Sequence, residues 1–275
     1  MMLNSAHIRP KKSLGQHFLT DKNIANKIID AAGITEGDIV VEIGPGNGIL
    51  TALLAEKAKK VVAIEIDERL IENLRSSLAR FSNVEIIQKD ALKFTYQDLP
   101  HRFKVVANLP YYITTPIIFR LLEAKGMVIS MTLMMQREVA ERIVAGPGGK
   151  DYGVLSIAVQ FYAEPKIDFI VPPTVFNPRP KVSSAVVSFN ILKKVRVKTR
   201  DEEFFFKVVR AGFAQRRKTL RNTMKAANLG ISADVLEEAF KKCEIEPTRR
   251  GETLSISEFA KLADQILVRL LKNCR

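Results

Sequence analysis

The chain has 275 residues, 47% of them hydrophobic, with a formal charge of +13, two cysteines, three histidines and no tryptophan. That length exceeds a minimal domain and supplies a sizeable core, while the excess charge directs the surface toward polyanions, with nucleic acid ahead of anionic membrane. Cys243 and Cys274 form no CxxC pair, and His7, His17 and His101 lie far apart with no cysteine nearby, so reduced thiols in a cytoplasm are expected and no metal site.

Residues 1–12 lack the apolar block of a secretion signal. Short, near-continuous runs rich in Val and Ile at 39–43, 61–66, 84–88, 103–107 and 127–134 predict buried strands. The run 127–135 is apolar, yet far short of the ~20 residues that span a bilayer, so no membrane association is expected. Between the strands, 50–59, 68–80 and 116–124 place apolar residues at helical spacing, and the alternation predicts a doubly wound parallel α/β sheet. Residues 152–163 read as a helix, and 166–171 and 185–191 as strands separated by the Pro-rich segment 172–180.

The composition changes near Lys193-Lys194-Val195-Arg196-Val197-Lys198. Beyond it only helical patterns occur, over 202–213, 217–227, 233–242 and 256–272. The last is amphipathic, with Phe259, Leu262, Ile266, Leu267, Leu270 and Leu271 on one face and Ser255 with Glu258 as a capping box. Two domains are therefore expected, 1–193 and a small all-α domain over 194–275. Residues 193–275 hold 20 Lys and Arg against 11 Asp and Glu, a net +9 that leaves +4 for the rest. Arg216, Arg217, Lys218 and Arg221, at the start of the 217–227 helix, suit phosphate groups, although a solvated charged face would look the same. Arg9, Lys11, Lys12, Arg249 and Arg250 could extend that surface.

Three strand ends carry chemistry. After 39–43 comes Gly44-Pro45-Gly46-Asn47-Gly48, where glycines permit a sharp turn and close approach of a ligand. Its GxGxG spacing differs from the GxGxxG that accompanies a dinucleotide pyrophosphate. The second strand ends in Glu65-Ile66-Asp67, where a carboxylate can accept both hydroxyls of a ribose, and the third is followed by Asp90, placed to read an adenine amino group. An ordinary tight turn explains the glycines alone. The three together suit adenosyl-methionine, whose ribose and adenine need acceptors and whose sulfonium needs no phosphate cradle.

The fourth strand ends in Asn108-Leu109-Pro110-Tyr111, a polar amide, a stiff turn and an aromatic that can grip a planar amino group while a ring stacks on it. The Asn108 side-chain carbonyl and the Leu109 backbone carbonyl can accept the two N–H bonds of an adenine amino group and aim its lone pair at a methyl donor. No Ser, Cys or His nucleophile is required. Tyr111 would stack on the base and Phe176, in the stiff segment Asn177-Pro178-Arg179-Pro180, would cover its other face, unless Phe176 is a core aromatic.

Five ordered motifs carry a family resemblance: Lys12-Ser13-Leu14-Gly15-Gln16-His17-Phe18-Leu19, the Gly44 turn, Asn108-Leu109-Pro110-Tyr111-Tyr112, Gln136-Arg137-Glu138-Val139-Ala140, and the run from Phe176 to Ser184. From about Lys11 to the last helix the chain resembles the bacterial small-subunit ribosomal RNA adenine N6,N6-dimethyltransferases, the KsgA family. The resemblance implies a Rossmann-like class I methyltransferase sheet with a small helical C-terminal domain. It also implies that His17 and Leu19 border the adenosyl-methionine, Gly44 and Gly46 lie beside its amino-acid part, Glu65 holds the ribose, Asp90 reads the adenine, and Asn108 touches both cofactor and target. The family often carries Asn where this chain has His17.

The activity so implied is dimethylation of two adjacent adenines near the 3′ end of 16S RNA in an immature 30S subunit, late in assembly, by a monomer without an obligate protein partner. Two other readings are a large-subunit methyltransferase of the macrolide-resistance type, whose relatives have shorter tails, and an assembly factor that binds RNA without catalysis.

Overall fold

The computed structural model describes residues 10–227 and 229–273, so His7, Arg9 and Cys274 lie outside the described residues. No element is expected before residue 39, yet a short 3-10 turn (Lys12–Leu14), β1 (Phe18–Leu19) and α1 (Lys22–Ala32) precede it among the described residues. The signals for α1 are local: Asp21 caps it by accepting from the Asn23 and Ile24 amides, Ala25, Ile28, Ile29 and Ala32 line its buried face, and Gly33 ends it at φ 55°. Next come β2 (Ile39–Ile43), α2 (Ile49–Lys57), β3 (Lys60–Glu65), α3 (Glu68–Ser77), β4 (Val84–Gln88), β5 (Phe103–Asn108), α4 (Thr114–Glu123) and β6 (Val128–Gln136). They then give way to α5 (Arg137–Val144), α6 (Val154–Tyr162), β7 (Ala163–Val171), β8 (Phe176–Asn177) and β9 (Ser184–Ile191), and finally to α7 (Glu202–Phe213), α8 (Leu220–Ala226), α9 (Ala233–Cys243) and α10 (Ile256–Asn273).

Seven strands form one sheet in the order β4-β3-β2-β5-β6-β9-β7. The pairs β3/β4, β2/β3, β2/β5 and β5/β6 are parallel, as alternation of strands and helices predicts. The sheet is nevertheless mixed, because β9 runs antiparallel to β6. Its first residue, Ser184, pairs with Gln136, the last of β6, and the Arg137 amide donates to the Ser183 carbonyl at 3.0 Å. The chain thus re-enters the sheet at its carboxyl edge and can only run back. A separate two-stranded ribbon pairs Phe18 with Asn177 and Leu19 with Phe176.

The chain divides into two compact units, Met1–Ala140 with Glu164–Ile191, and Glu141–Ala163 with Leu192–Arg275. A single break at 193 therefore does not describe the backbone, because the segment containing α6 belongs with the C-terminal helices. The reason is apolar: Tyr152, Ile157 and Phe161 share one buried cluster with Phe205, Phe240 and Phe259, and the Phe161 and Phe205 rings stack at 4.9 Å. α8 starts at Leu220 and not at 217, since Thr219 is the residue whose side chain accepts from the Asn222 amide. The Ser255–Glu258 capping box is formed, the Glu258 amide donating to Ser255 Oγ at 3.2 Å and the Ser255 amide to Glu258 Oε2 at 2.8 Å. No helix among the described residues is long and apolar enough to cross a membrane.

Two packing features make stability predictions. In the second unit a Cβ on Gly251 would collide with the Gly212 backbone, so Gly251→Ala should lower stability by about 1–3 kcal/mol, read as a lower melting temperature by circular dichroism. In the first unit Glu42 sits inside β2 at 1% exposure. Burial, reinforced by the charge of Glu65, pushes its carboxyl up to about 8. The unfolded chain ionises this group near 4.5 while the fold keeps it neutral, so its contribution to stability is present below 4.5 and lost as pH rises through 8. Glu42→Gln should therefore raise the melting temperature, by no more than ~5 kcal/mol of stability at pH 9, with the gain vanishing at pH 4.

Candidate active site

The carboxyl ends of β2, β3 and β5 and the turn after β4 meet around one cavity of about 190 Å³, whose wall includes Gly44, Gly46, Glu65, Asp90, Asn108, Leu109 and Tyr111. Residues 14–19, which include His17 and Leu19, form a strap that lines the same cavity. Strand ends are the natural place for these polar groups, because a parallel sheet covered on both faces excludes them elsewhere.

The Gly44 turn has its three glycines at φ 69°, 59° and 79°. At Gly46 the demand is also steric, since a Cβ there would come within 2.9 Å of the Phe18 ring. Asn47 Nδ2 donates to the Leu19 carbonyl at 2.9 Å and so ties the strap to the turn. Gln16 Nε2 makes a second tie, to Asp67 Oδ2 at 2.8 Å. The Arg69 guanidinium beside Asp67 holds that carboxyl down at about 2, with Nε donating to Oδ1 at 2.8 Å.

Glu65 is 4% exposed. Its Oε1 accepts from the Ile66 and Asp67 amides, each at 2.9 Å, and its Oε2 from the Gly46 amide at 3.3 Å. Burial raises its pKa despite these donors. A carboxylate offers roughly four lone-pair sites, so a ribose meets a partly committed acceptor that is fixed in orientation. Asp90 accepts from the Leu92 amide through Oδ1 at 2.9 Å. Glu42 also lines the cavity, and its Oε2 is buried without a hydrogen-bond partner. It was not among the expected site residues. Its signal is a lone acid inside an aliphatic strand.

At the end of β5, Asn108 Nδ2 donates to the His17 carbonyl at 3.1 Å. A carbonyl only accepts, so the amide is oriented with Oδ1 on the other side, where no protein donor meets it among the described residues. The Leu109 amide donates to the Met134 carbonyl at 3.0 Å, and the Leu109 carbonyl is likewise without a described donor. Tyr111 shares a hydrogen bond of 2.8 Å with Ser184 Oγ on β9, and burial pushes its phenol up. Its ring stacks with His17, centroids 5.6 Å apart and planes at 29°.

Phe176 is placed elsewhere than expected. It is 5% exposed and packs in a cluster with Leu19, Ala25, Ile28 and Val186, and it does not line the cavity. Side chains alternate along a strand, and in the β1/β8 ribbon Leu19 and Phe176 share the buried side. In this conformation the ring supports the strap.

In the second unit Arg216, Arg217 and Lys218 lie in the turn before α8 and are exposed. Arg216 donates to the Lys150 carbonyl and faces Glu252 at 3.6 Å. Arg221, inside α8, pairs with Glu237 at 2.8 Å. The Leu220 amide donates to the Arg249 carbonyl at 2.6 Å, which brings the Arg250 loop alongside. Arg249 itself is half-buried and bonded to Glu258 at 2.5 Å and to the Thr253 carbonyl at 2.6 Å.

The chain is similar to known proteins. The chain is 48% identical over 265 residues to the protein named ribosomal RNA small subunit methyltransferase A of Alkaliphilus oremlandii, covering 94% of this chain and 92% of the relative. It is 50% identical over 270 residues to the protein of that name from Bacillus mycoides, covering 95% and 92%. A crystal structure of a dimethyladenosine transferase from Plasmodium falciparum superimposes with a TM-score of 0.81 at 29% identity, over 94% of this chain and 98% of that one. A sequence model described as ribosomal RNA adenine dimethylase matches residues 8–266, and this chain belongs to that family.

Proposed function

We propose that this protein transfers methyl groups from adenosyl-methionine to N6 of two adjacent adenines near the 3′ end of 16S RNA in an immature small subunit, late in assembly and in the cytoplasm. The observation that carries the reading is the Asn108 amide, whose donor side is spent on the His17 carbonyl and whose acceptor side is left for a substrate. The names of the 48–50% identical relatives favour the small subunit.

The residues present fit the methyl donor. Gly46 keeps the turn free of a Cβ, Glu65 and Asp90 stand as acceptors for a ribose and an adenine amino group, and the buried acid Glu42 is part of the wall of a cavity that would receive a cation. Adenosyl-methionine, when bound, supplies an electrophilic sulfonium methyl. The chain's part is orientation. An adenine amino nitrogen is a poor nucleophile because its lone pair is delocalised into the ring. Acceptance of its two N–H bonds by Asn108 Oδ1 and the Leu109 carbonyl favours the pyramidal nitrogen and aims the lone pair into the cavity. After transfer the nitrogen is strongly acidic and loses its proton to water.

Tyr111 supplies the aromatic face. Stacking contributes ~1–3 kcal/mol, against a few kcal/mol to extrude a base, so phosphate contacts must contribute the rest. Arg217 and Lys218, exposed, with no described side-chain partner and clustered in one turn, are the cations we assign to that, with Arg216, Arg221 and Arg250 beside them. Recognition there is of RNA shape and charge.

Labelled adenosyl-methionine offered with undermethylated small subunits, large-subunit RNA or neither should yield dimethyladenine only in the first case. Label on none of them would refute the reading. Asn108→Ala should cut single-turnover transfer by about 10²–10³-fold while subunit affinity stays within a few fold. Replacing Arg216, Arg217 and Lys218 with Ala should weaken RNA binding and reduce the slope of log affinity against log salt by about 2, leaving cofactor affinity unchanged in equilibrium dialysis.

A further inference from the structure

We infer that the His17 side chain is a positioning residue for the target base, not a ligand of the methyl donor: its imidazole backs one face of Tyr111 so that the flipped adenine stacks on the other. This rests on the adenine transfer proposed above. His17 borders the cavity, but its ring engages two groups of the target half, and its backbone carbonyl engages a third. It lies against Tyr111 with centroids 5.6 Å apart and planes at 29°. Its Nδ1 is 2.7 Å from the Pro178 carbonyl. Its own carbonyl accepts from the Asn108 amide at 3.1 Å.

Each contact constrains the arrangement. The Pro178 carbonyl only accepts, so Nδ1 carries the proton and the ring is anchored by a donated bond. An anchored ring is a fixed support and not a mobile plug. Tyr111 is held at its far end by the bond to Ser184 Oγ at 2.8 Å, and the imidazole then blocks swinging of the phenol toward the strap. Asn108 Nδ2 is spent on the His17 carbonyl, so Oδ1 is the atom left for an amino group. With the imidazole against one face of Tyr111, the face left for the purine is the other. The order is imidazole, phenol, adenine. Aromatic pairs of this kind contribute a few-fold to tenfold in an equilibrium, enough to decide how well a stacking platform is preorganised.

The test separates ring from donor. His17→Asn keeps a group that can donate to the Pro178 carbonyl but has no ring, and His17→Phe keeps a ring without the donor. Thermal melts check that both variants fold. Affinity for adenosyl-methionine, by equilibrium dialysis, should stay within about twofold of wild type for both. Single-turnover methylation of undermethylated small subunits should fall about three- to tenfold for His17→Asn and less for His17→Phe. In a Tyr111→Ala background, measured at longer times, His17→Asn should have no further effect, because the support has nothing left to hold. A tenfold loss of cofactor affinity with an unchanged transfer rate would overturn the inference. So would a His17→Asn effect of equal size with and without Tyr111. If the wild-type protein methylates no small subunit, the proposed function fails instead.

Discussion

A strand covered on both faces admits polar side chains only where it ends, and parallel strands all end on the same edge. That constraint gathers the chemistry of this protein. Over residues 39–41, 61–64 and 105–107, β2, β3 and β5 are aliphatic, and they deliver the Gly44 turn, Glu65 and Asn108 to one side of the sheet. Glu42 is the exception that shows the rule: one residue short of the end of β2, it is forced toward its neutral form. A cation brought into the cavity would reverse that balance by favouring the ionised carboxylate.

The strap closes the same edge from outside the sheet. It is joined to the Gly44 turn through Asn47, to the α3 N-cap through Gln16 and Asp67, and to β5 through Asn108. Two of these bonds use strap backbone carbonyls, so the strap is shaped by where its main chain runs and less by which side chains it carries. The Leu19 and Phe176 pair seals the other side of the ribbon against the core. The strap, the Gly44 turn and the end of β5 are therefore one hydrogen-bonded assembly, in which Asn108 both braces the strap and presents an acceptor.

The second unit is built on different physics. Its aromatic cluster and the Gly212–Gly251 approach make a dense helical core. Several of its cations are neutralised locally, as Arg249 is by Glu258 and Arg221 by Glu237. The excess charge of the chain is thus not spread evenly over potential phosphate contacts. Arg217 and Lys218, in the turn that precedes α8, are among those left exposed and without a described side-chain partner, as are Lys193, Lys194, Arg210 and Lys241.

Much of this was legible in the amino-acid order. Periodicity located all five parallel strands to within one or two residues, glycine spacing located the turn, and strand-end acids located the acceptors, because each signal is local. α1 was equally local in its caps and periodic face and went unread. What remained for tertiary structure were matters of pairing and direction. The reversal of β9 depends on which edge of the sheet the chain re-enters. The membership of α6 in the second unit depends on which aromatics Phe161 meets. The burial of Phe176 depends on its register opposite Leu19, since a one-residue slip would turn the ring outward. The sequence by itself determined which polar groups stand at the strand ends around the cavity. Only the fold decided how the Asn108 amide is turned and what stands behind Tyr111, because both are set by carbonyls and rings many residues away along the chain.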